Sequence, residues 1–210
     1  MCARNVKEGS DSMKVIGLTG GIASGKSVIA GWFRDENIPL IEADEVYKQL
    51  TKPGHLLYNK IIKIVSSGMI SPSGEIIWQE LALKAFTDDA FRQRLNHVTH
   101  PVVQEEILGM IATYREKKAP CLVVSVPLLF ESGFDAFCDV TICVYVPYDV
   151  QIKRLMERDQ IDRAYAKVKI DAQASLEEKK LRATYVIDNA QSFEATRSAF
   201  QWVLAQLRRG

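Results

Sequence analysis

The most regular feature of the chain is a series of short apolar runs, rich in β-branched residues, that alternate with segments of helical periodicity. Runs of this kind predict strands that are buried on both faces. They occupy Lys14–Thr19, Pro39–Ile41, Cys121–Val126, Val140–Val146 and, as a shorter candidate, Tyr185–Ile187. Because parallel strands need crossover helices, the alternation predicts an α/β fold with a parallel five-stranded sheet flanked by helices.

The helical segments are unevenly spaced along the chain. They are predicted at Lys26–Glu36, within Ala43–Lys118, and at Asp149–Arg158, Ala164–Gln173, Leu176–Arg182 and Phe193–Arg208. The stretch between the second and third strands is far longer than one crossover helix requires, so we expect an inserted helical subdomain at about 45–118. Residues 1–12 are polar and carry no apolar period, which predicts a disordered tail ahead of one domain at 13–210.

Composition narrows the class of protein. The sequence has 27 Lys and Arg residues against 26 Asp and Glu residues, a formal charge of +1. That balance provides no bulk attraction to nucleic acid or to an anionic membrane, and no apolar run approaches the ~20 residues of a membrane span. The four cysteines include no CxxC pair, which predicts reduced, packed thiols. We therefore expect a cytoplasmic protein whose partners are small molecules.

The strongest motif is GGIASGKS, at Gly20–Ser27, which matches the phosphate-binding pattern G-x-x-x-x-G-K-[ST] between a predicted strand and a predicted helix. In this pattern successive backbone N–H groups surround phosphate oxygens at a helix N-terminus. We expect Lys26 to contact the β- and γ-phosphates and the Ser27 hydroxyl to ligate Mg²⁺. The predicted nucleotide-binding residues are Gly21, Ile22, Ala23, Ser24, Gly25, Lys26, Ser27 and Val28. The motif therefore predicts a nucleoside triphosphate site.

The sequence also separates the classes of nucleotide-dependent protein. The Asn-Lys-x-Asp guanine motif typical of GTPases does not occur. The third predicted strand ends at Val124–Pro127 without the carboxylate that motor ATPases usually carry there. A short chain with a large helical insertion favours a small-molecule kinase, whose helices close over both substrates. A kinase for another metabolite and a nucleotide-binding regulatory protein without catalysis stay open as alternatives.

Further motifs, taken in their order, point to one family of kinases. They are GLTGGIASGKS, EAD, KPG, HP, VPLLFE, QIKRLMERD, AQ and VIDN, and they extend over nearly the whole chain from Met13. In this order they resemble the dephospho-coenzyme A kinase family. The resemblance implies a P-loop kinase fold with a helical substrate-binding insertion, a helical lid at about 149–173, and the use of ATP and Mg²⁺. It also implies phosphorylation of the ribose 3′-hydroxyl of dephospho-CoA, the last step of coenzyme A biosynthesis, by what we expect to be a monomer or weak homo-oligomer.

Two of these motifs imply catalytic groups beyond the phosphate-loop lysine. Asp44 matches the second acid of the family's Asp-Ala-Asp signature, whose implied role is to orient and deprotonate the attacking hydroxyl. The alternative role of Asp44 is to N-cap the next helix. Arg154 and Arg158 are four residues apart in the lid motif, hence on one helical face, and are expected to neutralise charge on the transferred phosphate. Salt bridges with Glu157 or Asp159 are the alternative for both arginines.

The remaining motifs imply contacts with the two substrates. His100, in the HP pair, and Leu128 and Glu131, in the PLLFE segment, are expected to contact dephospho-CoA. Asn189, in VIDN, is expected to bind an adenine edge of the nucleotide, with a plain turn as the alternative. The alternative for the HP pair is that Pro101 simply starts a helix. For Glu131 the alternative is a structural salt bridge.

The sequence departs from the family pattern at several positions. Glu42 stands where Asp is usual, Trp78 and Lys169 stand where Arg is common, and the segment 72–74 lacks the usual Asp. Lys169 keeps the positive charge of an arginine but lacks its planar fork. Ala23 replaces a usual glycine within the phosphate loop, a change that is tolerable if this residue has a negative φ. Most of the departures concern the substrate side, so the motifs define ATP binding more firmly than acceptor binding.

Overall fold

Five parallel strands form the sheet of the computed structural model, which describes residues 13–209. The strands are β1 (Lys14–Gly20), β2 (Leu40–Glu42), β3 (Cys121–Ser125), β4 (Val140–Tyr145) and β5 (Tyr185–Asp188), in the spatial order β2-β3-β1-β4-β5. The predicted α/β fold is confirmed, and each predicted strand is present with its ends shifted by at most one residue. The tail predicted at 1–12 lies outside the described residues.

Helices cover both faces of this sheet. They are α1 (Lys26–Asp35), α2 (Ala43–Leu50), α3 (Leu56–Ile61), α4 (Trp78–Thr87), α5 (Asp89–Glu116), α6 (Tyr148–Asp159), α7 (Arg163–Asp171), α8 (Leu176–Arg182) and α9 (Phe193–Arg209), with short 3₁₀ helices at Ser67–Met69 and Phe134–Phe137. Successive side chains of a strand point to opposite faces, so β1 divides its residues between two cores. Leu18 packs with Phe33 of α1 and Phe200 of α9, whereas Val15 packs with Ile107 of α5. Burial on both faces accounts for the nearly continuous apolar runs in the sequence.

The long connection from β2 to β3 contains α2 to α5 and has a core of its own. Its buried members are Leu57, Ile61, Ile76, Leu81, Phe91, Leu95 and Val102. The alternative that Pro101 starts a helix is wrong, because Pro101 lies inside the continuous helix α5. That helix begins after Asp88, whose carboxylate accepts the Phe91 N–H at 2.9 Å. The ring of Pro101 leaves the carbonyl of His97 without its usual helical N–H partner, and packing of the insertion outweighs this loss.

The described residues also bear on the expectations drawn from composition. Between residues 13 and 209, no helix combines the length and the apolar character needed to cross a bilayer. Cys121, Cys138 and Cys143 are free thiols. Burial raises the pKa of both Cys138 and Cys143 to about 12. These thiols are therefore protonated at neutral pH and pack as small apolar groups.

Candidate active site

A cavity of about 930 Å³ lies at the carboxyl edge of the sheet, where open α/β sheets bind their ligands. Its walls are the loop after β1, the start of α2, the middle of α5, the loop after β3 and part of α6. The predicted site residues in its lining are Gly21, Ile22, Ala23, Ser24, Gly25, Lys26, Ser27, Asp44, His100, Leu128, Arg154 and Arg158. Val28, Glu131 and Asn189 lie outside this lining. The cavity thus joins the predicted nucleotide loop to most of the predicted acceptor residues.

The ammonium of Lys26 is held inside the site by Ser125, the last residue of β3. Lys26 Nζ donates a hydrogen bond to Ser125 Oγ at 2.6 Å, and Ser125 is almost fully buried. Burial lowers the pKa of Lys26 from its ordinary value, while Asp44 and Glu42 act in the opposite direction. These two carboxylates therefore lie close enough to Lys26 to stabilise its charged form.

The phosphate loop contains two residues with left-handed backbone. Gly25 has a φ of 90°, and a Cβ there would lie 2.1 Å from Asn189 Nδ2, so this position requires glycine. Ala23 has a φ of 60°, so the negative φ that would make alanine tolerable at this position is absent. The Ser24 N–H donates to the Gly21 carbonyl at 3.1 Å, which closes a β-turn with Ala23 as its third residue. The alanine therefore adopts a conformation that L side chains disfavour.

Asp44 lies in the first turn of α2 and borders the cavity. The N-cap of α2 is Glu42, so the alternative that Asp44 caps this helix is wrong. Glu42 itself pairs with Arg34 of α1, and Oε2 lies 2.9 Å from Nη2. The register of β2 and β3 sets Glu42 beside Ser125. This pairing brings the start of α2, with its carboxylate, next to the phosphate-loop lysine.

Two arginines of α6 reach the cavity, and each has a partner. Arg154 Nη2 donates to the carbonyl of Asn189 at 2.9 Å. Arg158 Nε lies 2.8 Å from Asp159, and Lys169 Nζ lies 2.5 Å from the same carboxylate. The hydrogen bond from Arg158, together with that from Lys169, lowers the pKa of Asp159 to about 2. Asp159 is therefore ionised at neutral pH and joins α6 to α7, so Lys169 has a structural partner here.

Glu131 and Asn189 support neighbouring loops. Asn189 Nδ2 donates to the Ser24 carbonyl at 2.8 Å, so its amide braces the phosphate loop, and its contact with adenine stays a prediction. Glu131 Oε1 lies 2.9 Å from Nζ of Lys179, whose side chain is fully buried. The same oxygen accepts the Ala174 N–H at 3.0 Å. The salt-bridge alternative for Glu131 is thus present, and its contact with dephospho-CoA stays a prediction.

The insertion contributes a histidine and an aromatic pair near the cavity. Burial lowers the pKa of His100 below its ordinary value, while Glu131 acts in the opposite direction. A neutral imidazole has one donor and one acceptor nitrogen to offer a ligand. Tyr47, which also lines the cavity, packs against Trp78 with ring centroids 5.8 Å apart. Trp78 therefore contacts a residue of the cavity wall and does not itself line the cavity.

The side-chain oxygen atoms beside the phosphate loop are suitable ligands for a magnesium ion. Magnesium prefers hydroxyl, carboxylate, water and phosphate oxygens. Ser27, the second residue of α1, and Asp44 supply a hydroxyl and a carboxylate to the same cavity lining. Within the described part of the chain, no cluster of three His, Cys, Asp or Glu side chains is arranged to hold a metal ion. The residues present therefore fit an ion that shares its coordination with nucleotide phosphates and water.

Three supporting residues escaped the sequence analysis. Ser125 receives the phosphate-loop ammonium, Lys179 Nζ donates to the Pro127 carbonyl at 2.6 Å, and Gln151 Nε2 donates to the Ile22 carbonyl at 2.7 Å. Ser125 could have been predicted, because a buried lysine needs a polar partner and the end of the neighbouring strand carries no acid. Lys179 and Gln151 could not have been predicted, because α8 and α6 carry many polar side chains and the sequence does not distinguish the buried ones.

Comparison with known proteins agrees with this geometry. The family model for dephospho-CoA kinase (CoaE) matches residues 14–194. A dephospho-CoA kinase of Oceanobacillus iheyensis is 39% identical over 190 residues, which cover 90% of this chain and 96% of the relative. The crystal structure of TT1252 from Thermus thermophilus matches with a TM-score of 0.76 and 28% identity, over 93% of this chain and 98% of the other.

A second solved structure is similar in the same way. A dephospho-CoA kinase from Campylobacter jejuni matches with a TM-score of 0.67 and 28% identity, over 93% of this chain and 98% of the other. The family match begins at the first residue of β1 and continues into α9, so it includes every wall of the cavity. The chain therefore belongs to the dephospho-CoA kinase family.

Proposed function

We propose that this chain transfers the γ-phosphate of ATP to the ribose 3′-hydroxyl of dephospho-CoA and so produces coenzyme A. The observation that carries the proposal is the shared cavity, in which the phosphate loop and Asp44 border the same space. A phosphoryl donor and an alcohol acceptor react when a site holds them in line and close together. The volume of about 930 Å³ is large for a ligand site, as two nucleotide-sized substrates require.

On the nucleotide side, Lys26 changes its partner. Its ammonium is bonded to Ser125 Oγ in this structure. When ATP binds, we expect the ammonium to move to the β- and γ-phosphates, because their negative charge attracts it and the neutral hydroxyl of Ser125 does not. Backbone N–H groups of the phosphate loop hold the same phosphates. The Ser27 hydroxyl would hold a magnesium ion, and such an ion would neutralise phosphate charge.

On the acceptor side, Asp44 orients the 3′-hydroxyl and accepts its proton as the new O–P bond forms. We assign His100 and Leu128 to the binding of dephospho-CoA, because they line the cavity on α5 and on the loop after β3. The imidazole of His100 supplies hydrogen bonds, and Leu128 supplies an apolar contact. Helices α2 and α5 and the loop after β3 therefore constitute the acceptor side of the proposed enzyme.

Positive charge for the transferred group comes from Arg154 and Arg158 of α6. We assign α6 and α7 to a lid and α2 to α5 to the substrate-binding insertion. Closure of a lid excludes water and strengthens the electrostatic interactions inside the site. In phosphoryl transfer, a positioned arginine raises the rate by about 10³- to 10⁵-fold. The proposal includes a cytoplasmic enzyme that acts as a monomer or weak homo-oligomer on ATP and dephospho-CoA.

ADP release by the full chain tests the proposal. With Mg²⁺ and ATP present, we expect dephospho-CoA to raise ADP release far above background, and nucleoside monophosphates or small hydroxy acids to leave it unchanged. Mass spectrometry and phosphorus NMR should find one added phosphate on the ribose 3′-oxygen. ADP release that dephospho-CoA does not raise would contradict the proposal, and ATP binding without transfer to any acceptor would favour a regulatory protein instead.

A further inference from the structure

The phosphate loop is held by two glutamines from the proposed lid and its end. Gln151 of α6 donates from Nε2 to the Ile22 carbonyl at 2.7 Å, and Gln173, just after α7, accepts the Ile22 N–H at 3.1 Å. Gln151 is almost fully buried. A Cβ on Gly21 would lie 2.6 Å from Gln151 Nε2, so the glutamine packs directly against the backbone of the loop.

The hydrogen bond from Gln151 is accepted by the Ile22 carbonyl, which belongs to the central peptide of a β-turn. The turn is Gly21–Ser24, in which Ala23 has a φ of 60°, while the described positive-φ residues do not include Ile22. This combination defines a type II turn. The competing type I turn has the Ile22–Ala23 peptide flipped and gives Ala23 a negative φ, which alanine prefers. Because the peptide is planar and trans, its carbonyl and its N–H point in opposite directions.

We propose that Gln151 is a positioning residue, which holds the Ile22–Ala23 peptide in its type II orientation and so keeps the Ala23 N–H available to a nucleotide phosphate. Gln151 approaches the turn from the protein interior, and Ala23 lines the cavity. The N–H opposite the bonded carbonyl therefore faces away from Gln151. The inference rests on the proposed nucleotide site. It is specific to an alanine at position 23, since a glycine there adopts the left-handed conformation without support.

Two substitutions separate this role from simple packing. Without the Gln151 bond, an alanine occupies the left-handed region in about one molecule in ten, and affinity falls with the competent fraction. Gln151→Met keeps the volume, removes the donor, and should raise the Kd for ATP about tenfold. Glycine visits left-handed and right-handed regions about equally, so Ala23→Gly added to Gln151→Met should restore the Kd to within about threefold of the wild type.

Gln173 provides a matched control for this cycle. It bonds to the other side of Ile22, at the N–H of the Gly21–Ile22 peptide, which does not flip between the two turn types. Any weakening of ATP binding by Gln173→Met should therefore persist when Ala23→Gly is added. Ala23→Gly alone completes the cycle, and its Kd is the reference against which the double variants are compared.

Isothermal titration of Mg-ATP into the full chain and these variants decides the matter, with thermal unfolding to verify that each is folded. If Gln151→Met does not fold, Gln151→Glu, which keeps the shape and lacks the donor when ionised, enters the same cycle, where its charge effect cancels. Rescue by Ala23→Gly of the Gln151 variant alone supports the inference. Equal losses with alanine and glycine at position 23, or equal rescue of Gln173→Met, would overturn it. A wild-type chain that does not bind ATP would instead overturn the proposed nucleotide site.

Discussion

Lys26 and Ser125 join the phosphate loop to the neighbouring strand through a hydrogen bond of 2.6 Å between Nζ and Oγ. The register of the parallel pair β1 and β3 sets Leu18 beside Ser125, so the end of β3 lies next to the loop that follows β1. Burial lowers the pKa of Lys26, and the hydroxyl partly offsets the unfavourable burial of the ammonium. Phosphate and Ser125 therefore compete for the same lysine.

Substitution of Ser125 by alanine tests this competition. Without ATP, Ser125→Ala should lower the free energy of unfolding by about 1–3 kcal/mol, because the ammonium loses its buried partner. With saturating Mg-ATP the deficit should shrink, since phosphates then hold Lys26. Urea unfolding with and without Mg-ATP measures both quantities. Thr113→Ala, at an exposed position of α5, is the control, and a Ser125 deficit that persists undiminished with ATP would contradict the competition.

Replacing the guanidinium of Arg154 by a lysine ammonium should reduce turnover, although the positive charge is kept. Arg154→Lys keeps the positive charge but lacks the planar pair of donors, so kcat should fall about 10²-fold or more. Steady-state kinetics with both substrates saturating measures this loss. Lys153→Ala, an exposed neighbour on the same helix, should retain wild-type kcat. Full activity in Arg154→Lys would show that the fork has no part in catalysis.

The ion pair between Glu131 and the buried Lys179 predicts a stability effect that a second substitution partly reverses. Glu131→Gln removes the counter-charge of the buried Lys179 ammonium, which keeps its bond to the Pro127 carbonyl, and should lower the free energy of unfolding by about 1–3 kcal/mol. Adding Lys179→Met removes the buried charge, so the double variant should recover part of that loss. Chemical denaturation measures both.

The matched control for this pair is Asp135→Asn. Its ion pair with Arg182, at 3.3 Å, is more exposed, so the substitution should change stability by less than about 1 kcal/mol. A double variant less stable than Glu131→Gln would argue against a buried charge as the cause, and would favour a direct role of Lys179 in holding the loop at Pro127.

The lowered pKa of His100 predicts how stability depends on pH. Because the pKa lies below the ordinary value of 6.5 in the folded protein, the unfolded chain takes up a proton first as the pH falls. The stability that His100 contributes is therefore complete above pH 6.5 and declines as the pH falls towards the folded pKa. His100→Gln should show a shallower loss of Tm between neutral and mildly acidic pH than the wild type. Parallel curves for the two proteins would contradict this assignment.

The sequence predicted the strands well and one helix start poorly, for related physical reasons. A strand buried on both faces has to be apolar throughout, so β1 and β4 stand out in the sequence. Proline is acceptable in the first turn of a helix and costs about 3 kcal/mol inside one. Pro101 therefore suggested a helix start, whereas the packing of Leu95 and Val102 in the insertion core maintains a continuous helix through it.

Site residues that depend on tertiary contacts were harder to predict. The phosphate loop was predicted from local spacing and Asp44 from the family motif, and both line the cavity, while their roles stay predictions. The condition of a negative φ at Ala23 is not met, since this angle depends on which turn type the surroundings select. Lys179 was missed because α8 carries several charged residues, and only the fold decides which one is buried. A motif defined by local spacing can therefore be recognised in one sequence, whereas the burial of a particular polar side chain cannot be predicted from it.

The most direct test of the central claim is the turnover of Asp44→Asn, measured together with its affinity for ATP. The asparagine keeps the shape of the side chain and loses its basicity, so we predict that kcat with dephospho-CoA falls by about 10²- to 10⁴-fold while ATP still binds. Asp35→Asn, on the exposed end of α1, should retain wild-type turnover. Wild-type turnover in Asp44→Asn would contradict the claim that this carboxylate activates the acceptor hydroxyl.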